Sequence, residues 1–242
     1  MSVDGTYVSL KNAANEDMRA YVSRPSGDGR HPGIIVFQEA LGVNSQIRGV
    51  ADRYAKLGLV AIAPDLFHRV RPGFETSVLN MDELMPLIRA MTAEGFAADA
   101  IAAHRWLISE GGVSPEKTAA MGFCMGGRAT FIANSELPLA AAISYYAGGV
   151  APALLDRASS LHGRHLFFWG GRDKGIPPEQ HRAVADALRE AGKKFVDVEF
   201  SDCEHGFFNE QTERYNEKAT KESWAMGVAF LEDALDVDLN KA

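Results

Sequence analysis

Short apolar runs of strand length recur along this chain, and segments with helical period separate them. Gly33-Ile-Ile-Val-Phe37 is apolar throughout, which suits a strand covered on both faces better than one with a wet side. Residues 59–63 repeat the pattern and are stopped by Pro64. Residues 117–123, 139–145, 166–169 and 194–200 extend the series. Between them, Ile47, Val50, Ala51, Tyr54 and Leu57 share one helical face, with Ser45 as the expected cap and Gly58 as the expected stop. Further helices are predicted over residues 81–92, 96–109, 125–134, 178–191 and 213–235. Residues 6–10 and 18–23 read as an antiparallel pair of strands, and residues 67–80, with Pro72 and Gly73, as a loop. Strands alternating with helices give an α/β fold whose central sheet is mostly parallel, with right-handed crossovers and helices on both faces. With no repeat, low-complexity tract or linker, the 242 residues are expected to form one domain over 1–242.

Composition narrows the function. A net charge of −7 argues against nucleic acid, which calls for a basic face. The apolar runs are too short to span a bilayer, and residues 1–18 are polar and acidic, unlike a secretory signal. Cys124 and Cys203 make neither a disulfide framework nor a zinc spacing. The expectation is a cytoplasmic protein, monomeric or weakly dimeric, that acts on a small molecule without metal or cofactor and engages neither nucleic acid nor membrane.

Gly122-Phe-Cys-Met-Gly-Gly127 is the most informative segment. It follows a predicted strand and opens a predicted helix, the setting of a nucleophile elbow with Cys124 at the nucleophile position. Small residues two before and two after let strand and helix approach closely. The Met125 amide then points at a developing oxyanion, and the helix N-terminus adds positive potential. An α/β-hydrolase triad runs nucleophile, acid, histidine along the chain. Asp173 and His205 come in that order, each just past a predicted strand, where open parallel sheets place their ligands. Glu39 opens the loop after the residue 33–37 strand, beside Cys124, and that loop should supply a second oxyanion amide from Ala40. Tyr145 and Tyr146, at a strand end, are candidate pocket walls. Trp169, Phe207 and Phe208 read as packing residues and Cys203 as an incidental thiol.

Together, Gln38-Glu-Ala-Leu-Gly-Val-Asn44, Ala63-Pro-Asp-Leu66, Gly122-Phe-Cys-Met-Gly-Gly127, Ser144-Tyr-Tyr146, Gly170-Gly-Arg-Asp173 and His205-Gly-Phe207 resemble the dienelactone hydrolase family of α/β-hydrolases. The resemblance implies a cysteine hydrolase opening an enol-lactone, with no metal or organic cofactor; the expected function is hydrolysis of a lactone or carboxylic ester through a thioester. It makes Cys124 the nucleophile, His205 the base, Asp173 its orienting acid, and Glu39 the carboxylate that exchanges partners with the thiol. It also implies arginines that hold a substrate carboxylate, one of them four residues after the histidine. Asn209 stands there instead, as a candidate substrate contact, and the other position aligns near Met81 with nothing basic. A less anionic substrate is therefore expected, unless Arg69, Arg71 or Arg89 substitutes. Two other classes stay open: a non-catalytic or redox-sensing scaffold with a reactive Cys124, and a metal enzyme built on His68, His104, His162, His165 or His181.

Overall fold

The computed structural model describes residues 3–12, 14–26 and 29–239. Met1, Ser2 and Ala13 of the polar first eighteen residues, Gly27 and Asp28, and the last three residues lie outside them. Eight strands form one sheet. They are β1 (Val3–Lys11), β2 (Asp17–Pro25), β3 (Gly33–Phe37), β4 (Val60–Pro64), β5 (Thr118–Phe123), β6 (Ala141–Tyr145), β7 (Arg164–Gly170) and β8 (Phe195–Phe200). Their order across the sheet is β1-β2-β4-β3-β5-β6-β7-β8. β1 and β2 pair antiparallel, β2 meets β4 antiparallel, and β3 through β8 run parallel. Every residue of β3 and β4 is buried, as continuous apolar runs require.

The helices are α1 (Ser45–Lys56), α2 (Met81–Arg89), α3 (Ala93–Ser109), α4 (Met125–Glu136), α5 (Pro178–Glu190) and α6 (Glu217–Leu235). From β3 the chain moves one way to β4, then jumps back over β3 to β5. Right-handed crossovers therefore put α1 and α3 on opposite faces. α4 packs on α3, while Trp224 of α6 lies 4.7 Å, ring to ring, from Tyr54 of α1. Both faces are thus covered, and the reversal leaves a crevice at the carboxyl ends of β3 and β5.

Helix starts differ from expectation where a side chain takes a first-turn amide. Asn44, rather than Ser45, caps α1 by accepting from the Ile47 amide at 3.3 Å. Thr92 ends no helix: its hydroxyl accepts from Gly95 at 3.0 Å and starts α3 at Ala93, so α2 stops at Arg89. Asn216 accepts from Ala219 at 3.0 Å, which delays α6 to Glu217. Among the described residues, no helix is long and apolar enough to cross a membrane.

Candidate active site

Cys124 sits between β5 and α4 with φ 55° and ψ −117°. A side chain other than glycine's at positive φ costs about 1–3 kcal/mol and persists only where its surroundings enforce it. Here they do. A Cβ on Gly122 would lie 2.2 Å from the Gly126 carbonyl oxygen, and one on Gly126 would lie 2.3 Å from that of Gln38. Strand, helix and the loop after β3 are pressed together at these two glycines. The same contact brings the Gln38–Ala40 backbone to the head of α4. Among the described residues, neither the Ala40 nor the Met125 amide donates to a protein acceptor.

The loops after β7 and β8 bring in the other two groups. Asp173 is buried, and its Oδ1 accepts from the amides of Gly175 at 2.8 Å and Ile176 at 3.2 Å. Its Oδ2 lies 2.6 Å from His205 Nδ1. Burial opposes ionisation of Asp173, but the His205 contact and the two amides outweigh it and hold the carboxyl below its ordinary range. Burial likewise opposes the charged form of His205. The Cys124 sulfur and the Asp173 carboxylate overcome that and raise its pKa to about 10. Cys124, His205 and Asp173 all line one cavity of about 730 Å³.

Glu39 lies behind this group, 8% exposed. Burial pushes its pKa up to about 7, against the lowering influence of the His205 charge and of the Asn209 amide that donates to it. Asn209 is itself buried and absent from the cavity wall. The expected substrate contact there is corrected: its amide is spent on Glu39. Tyr145 is corrected too. Its side chain is enclosed by Phe123, Phe168 and Phe208, with ring centroids 4.7–5.0 Å away. Its neighbour Tyr146, turned by a φ of 36°, is also buried, with its ring 5.0 Å from the His205 imidazole. Trp169, Phe207 and Phe208 are buried packing residues. Cys203 is buried, and burial raises its thiol pKa to about 11.

The three arginines weighed as substrate anchors are not at the cavity. Arg69 is bound to Asp99 and Glu16 and Arg71 to Glu83, and Arg89 does not line it. Arg128, Arg172, Lys174 and Arg214 do. Sequence reasoning missed all four, although Arg128 follows Cys124 by one helical turn and Arg172 directly precedes Asp173. The histidines weighed as metal ligands are scattered. His68 contacts Asp99, His104 contacts Thr118, His165 contacts Ser144 and His181 contacts the Ile176 carbonyl. Among the described residues, no three His, Cys, Asp or Glu side chains converge as a metal site.

A mostly parallel sheet that reverses its strand order beside a glycine-walled turn, with acid and histidine delivered by the next two strand-end loops, defines an α/β-hydrolase. The family model of the dienelactone hydrolase family matches residues 18–235, and the chain belongs to that family. It is accordingly a hydrolase of carboxylic ester or lactone bonds. A Synechocystis sp. protein named "Putative carboxymethylenebutenolidase" is 30% identical over 235 residues, covering 93% of this chain and 95% of its own. A relative of the same name from Salmonella typhimurium is 32% identical over 219 residues, 86% of this chain and 80% of its own. Among solved structures, a Klebsiella pneumoniae protein described as a "Putative Dienelactone Hydrolase" superposes with a TM-score of 0.87 at 27% identity, covering 96% of this chain and 99% of that one. A dienelactone hydrolase-like promiscuous phosphotriesterase from metagenomic libraries shares the fold, with a TM-score of 0.85 at 22% identity over 97% of this chain and 99% of that one.

Proposed function

We propose that the protein hydrolyses its ester or lactone through a thioester on Cys124. The observation that carries this reading is the placement of Cys124 at a positive-φ turn on one cavity with His205, whose Nδ1 is held 2.6 Å from Asp173. With Nδ1 committed to Asp173, the other ring nitrogen of His205 is the one left to hold the thiol's proton, and the raised pKa of the imidazole favours the thiolate–imidazolium pair from which attack starts. The thiolate adds to the acyl carbon, and the carbonyl π pair moves onto oxygen. The Met125 and Ala40 amides receive that oxyanion, each worth about 3–4 kcal/mol in comparable sites. Collapse breaks the bond to the alkoxide, which receives the thiol-derived proton from His205 and leaves as the alcohol, with the acyl group on sulfur. Water, giving a proton to His205, then adds to the thioester; the thiolate leaves, is reprotonated, and the carboxylic acid is released. Asp173 fixes the imidazole tautomer and stabilises its charged form. Glu39, neutral about half the time near pH 7, is suited to exchange a proton with the thiol. Asn209 positions Glu39.

The test is a panel of lactones, aryl esters and thioesters. Wild type should hydrolyse members of it, Cys124→Ala should lose essentially all turnover while folded, and Cys203→Ala should keep most. Equal losses in the two variants would defeat the assignment.

A further inference from the structure

Among the described residues, Arg128 is a guanidinium without a carboxylate partner on the cavity wall. Elsewhere in the fold, half-buried arginines meet acids, as Arg69 meets Asp99 and Arg157 meets Glu136. Arg128 Nε is buried and has no hydrogen-bond acceptor. Burial lowers the pKa of the group, and the Cys124 sulfur is the one charge that counters it. The side chain is held in place without being neutralised. The guanidinium carbon stands 5.2 Å from the Phe96 ring centroid. A Cβ on Gly149 would come within 2.9 Å of Nη1, so that glycine leaves the space the arginine occupies.

Leaving a guanidinium desolvated and unpaired costs free energy that an incoming anion would offset. The wall around it favours an anion as well. Asp173 is committed to His205 and Glu204 lies 3.7 Å from Arg214, which leaves Arg128, Arg172 and Lys174 without an ion-pair partner among the described residues, in a chain whose net charge is −7. A cavity of one sign inside a protein of the other focuses the field on its ligand. Arg128 is four residues along α4 from Cys124, a rise of about 6 Å. An anion held there lies a few carbon atoms from the reacting carbonyl.

We infer that Arg128 is the specificity-determining residue for substrates that carry a carboxylate on a short acyl chain, of the type of a dicarboxylic acid monoester. The inference rests on the hydrolase reading above. It reverses the sequence expectation of a less anionic substrate, because the cation comes from the helix after Cys124 and not from the position of Asn209.

Two arms test it. In the first, kcat/KM is measured for 4-nitrophenyl monoesters of glutaric and adipic acid and for their methyl-capped diesters, which differ in charge but share acyl length and leaving group. Wild type should prefer the anionic member, Arg128→Gln should cut the anionic-to-capped ratio ten- to hundredfold, and Arg128→Lys should restore part of it. In the second, glutarate binding to Cys124→Ala is measured by calorimetry and should weaken at least tenfold when Arg128→Gln is added. Thermal melts establish that each variant is folded. An unchanged ratio in Arg128→Gln, or a wild type that prefers the capped ester, overturns the inference while the hydrolase reading stands. Arg128-dependent glutarate binding without hydrolysis of any ester would sink that reading and leave the anion site intact. Glutarate binding that ignores Arg128 overturns the inference whatever the esters do.

Discussion

Replacing Glu39 by glutamine tests the electrostatics of the site through stability as well as rate. The carboxyl is buried, and burial moves its pKa from an ordinary 4.5 to about 7. The folded protein therefore binds this proton more tightly than the unfolded chain does. Stability is unaffected by the group well below pH 4.5, falls as pH rises between 4.5 and 7, and stays lowered above 7. At 1.36 kcal/mol per pKa unit, the ionised form costs the fold about 3 kcal/mol above pH 7. Glutamine keeps an oxygen that can accept from Asn209 and carries no charge at any pH. Glu39→Gln should match wild type within about 1 kcal/mol at pH 5 and exceed it by about 3 kcal/mol at pH 8. For a chain of this size that difference between the two pH values is about 5–10 °C in relative Tm. Thermal melts of both proteins at pH 5 and pH 8 make the comparison. Turnover should fall in the variant as stability rises. A Tm gap that is the same at both pH values would mean that Glu39 is not held in the environment described, and its assignment to the site would go with it.

Asp173→Asn should lower kcat by about three to four orders of magnitude, because the amide can hold the wrong imidazole tautomer of His205; steady-state kinetics with a melt to confirm folding will show it, and a loss under tenfold would contradict the role. Iodoacetamide followed by peptide mapping should label Cys124 well before Cys203, whose burial raises its pKa to about 11. Glu39→Gln should move the pH profile of Cys124 labelling, and an unmoved profile would separate Glu39 from the thiol.

The strands were legible because β3 and β4 are buried on both faces, so their apolar content needs no periodicity to be read. The starts of α2, α4 and α5 were legible as well, but the cap of α1 was not, since it depends on which of two adjacent polar residues turns inward: Asn44 does and Ser45 does not. That Cys124, Asp173 and His205 would meet was legible because each follows a strand at the same end of a parallel sheet, and the three line one cavity. Tyr145 and Tyr146 illustrate the opposite case. Both rings join the aromatic layer, and what turns the Tyr146 ring to His205 is a φ of 36° just past the end of β6, which no residue pattern announces. Arg128 was invisible for a different reason. A helical arginine ordinarily reads as solvated surface, and what makes it otherwise are Phe96 and Gly149, both remote in sequence.

The most direct test of the central claim is to find the acyl group. Wild type mixed with a chromogenic ester, acid-quenched within the first turnover and digested, should yield the Gly122–Gly127 peptide carrying the acyl mass on Cys124, with the adduct decaying as turnover completes. The adduct should be absent in Cys124→Ala. An acyl group on any other residue, or full turnover by Cys124→Ala, would contradict the account.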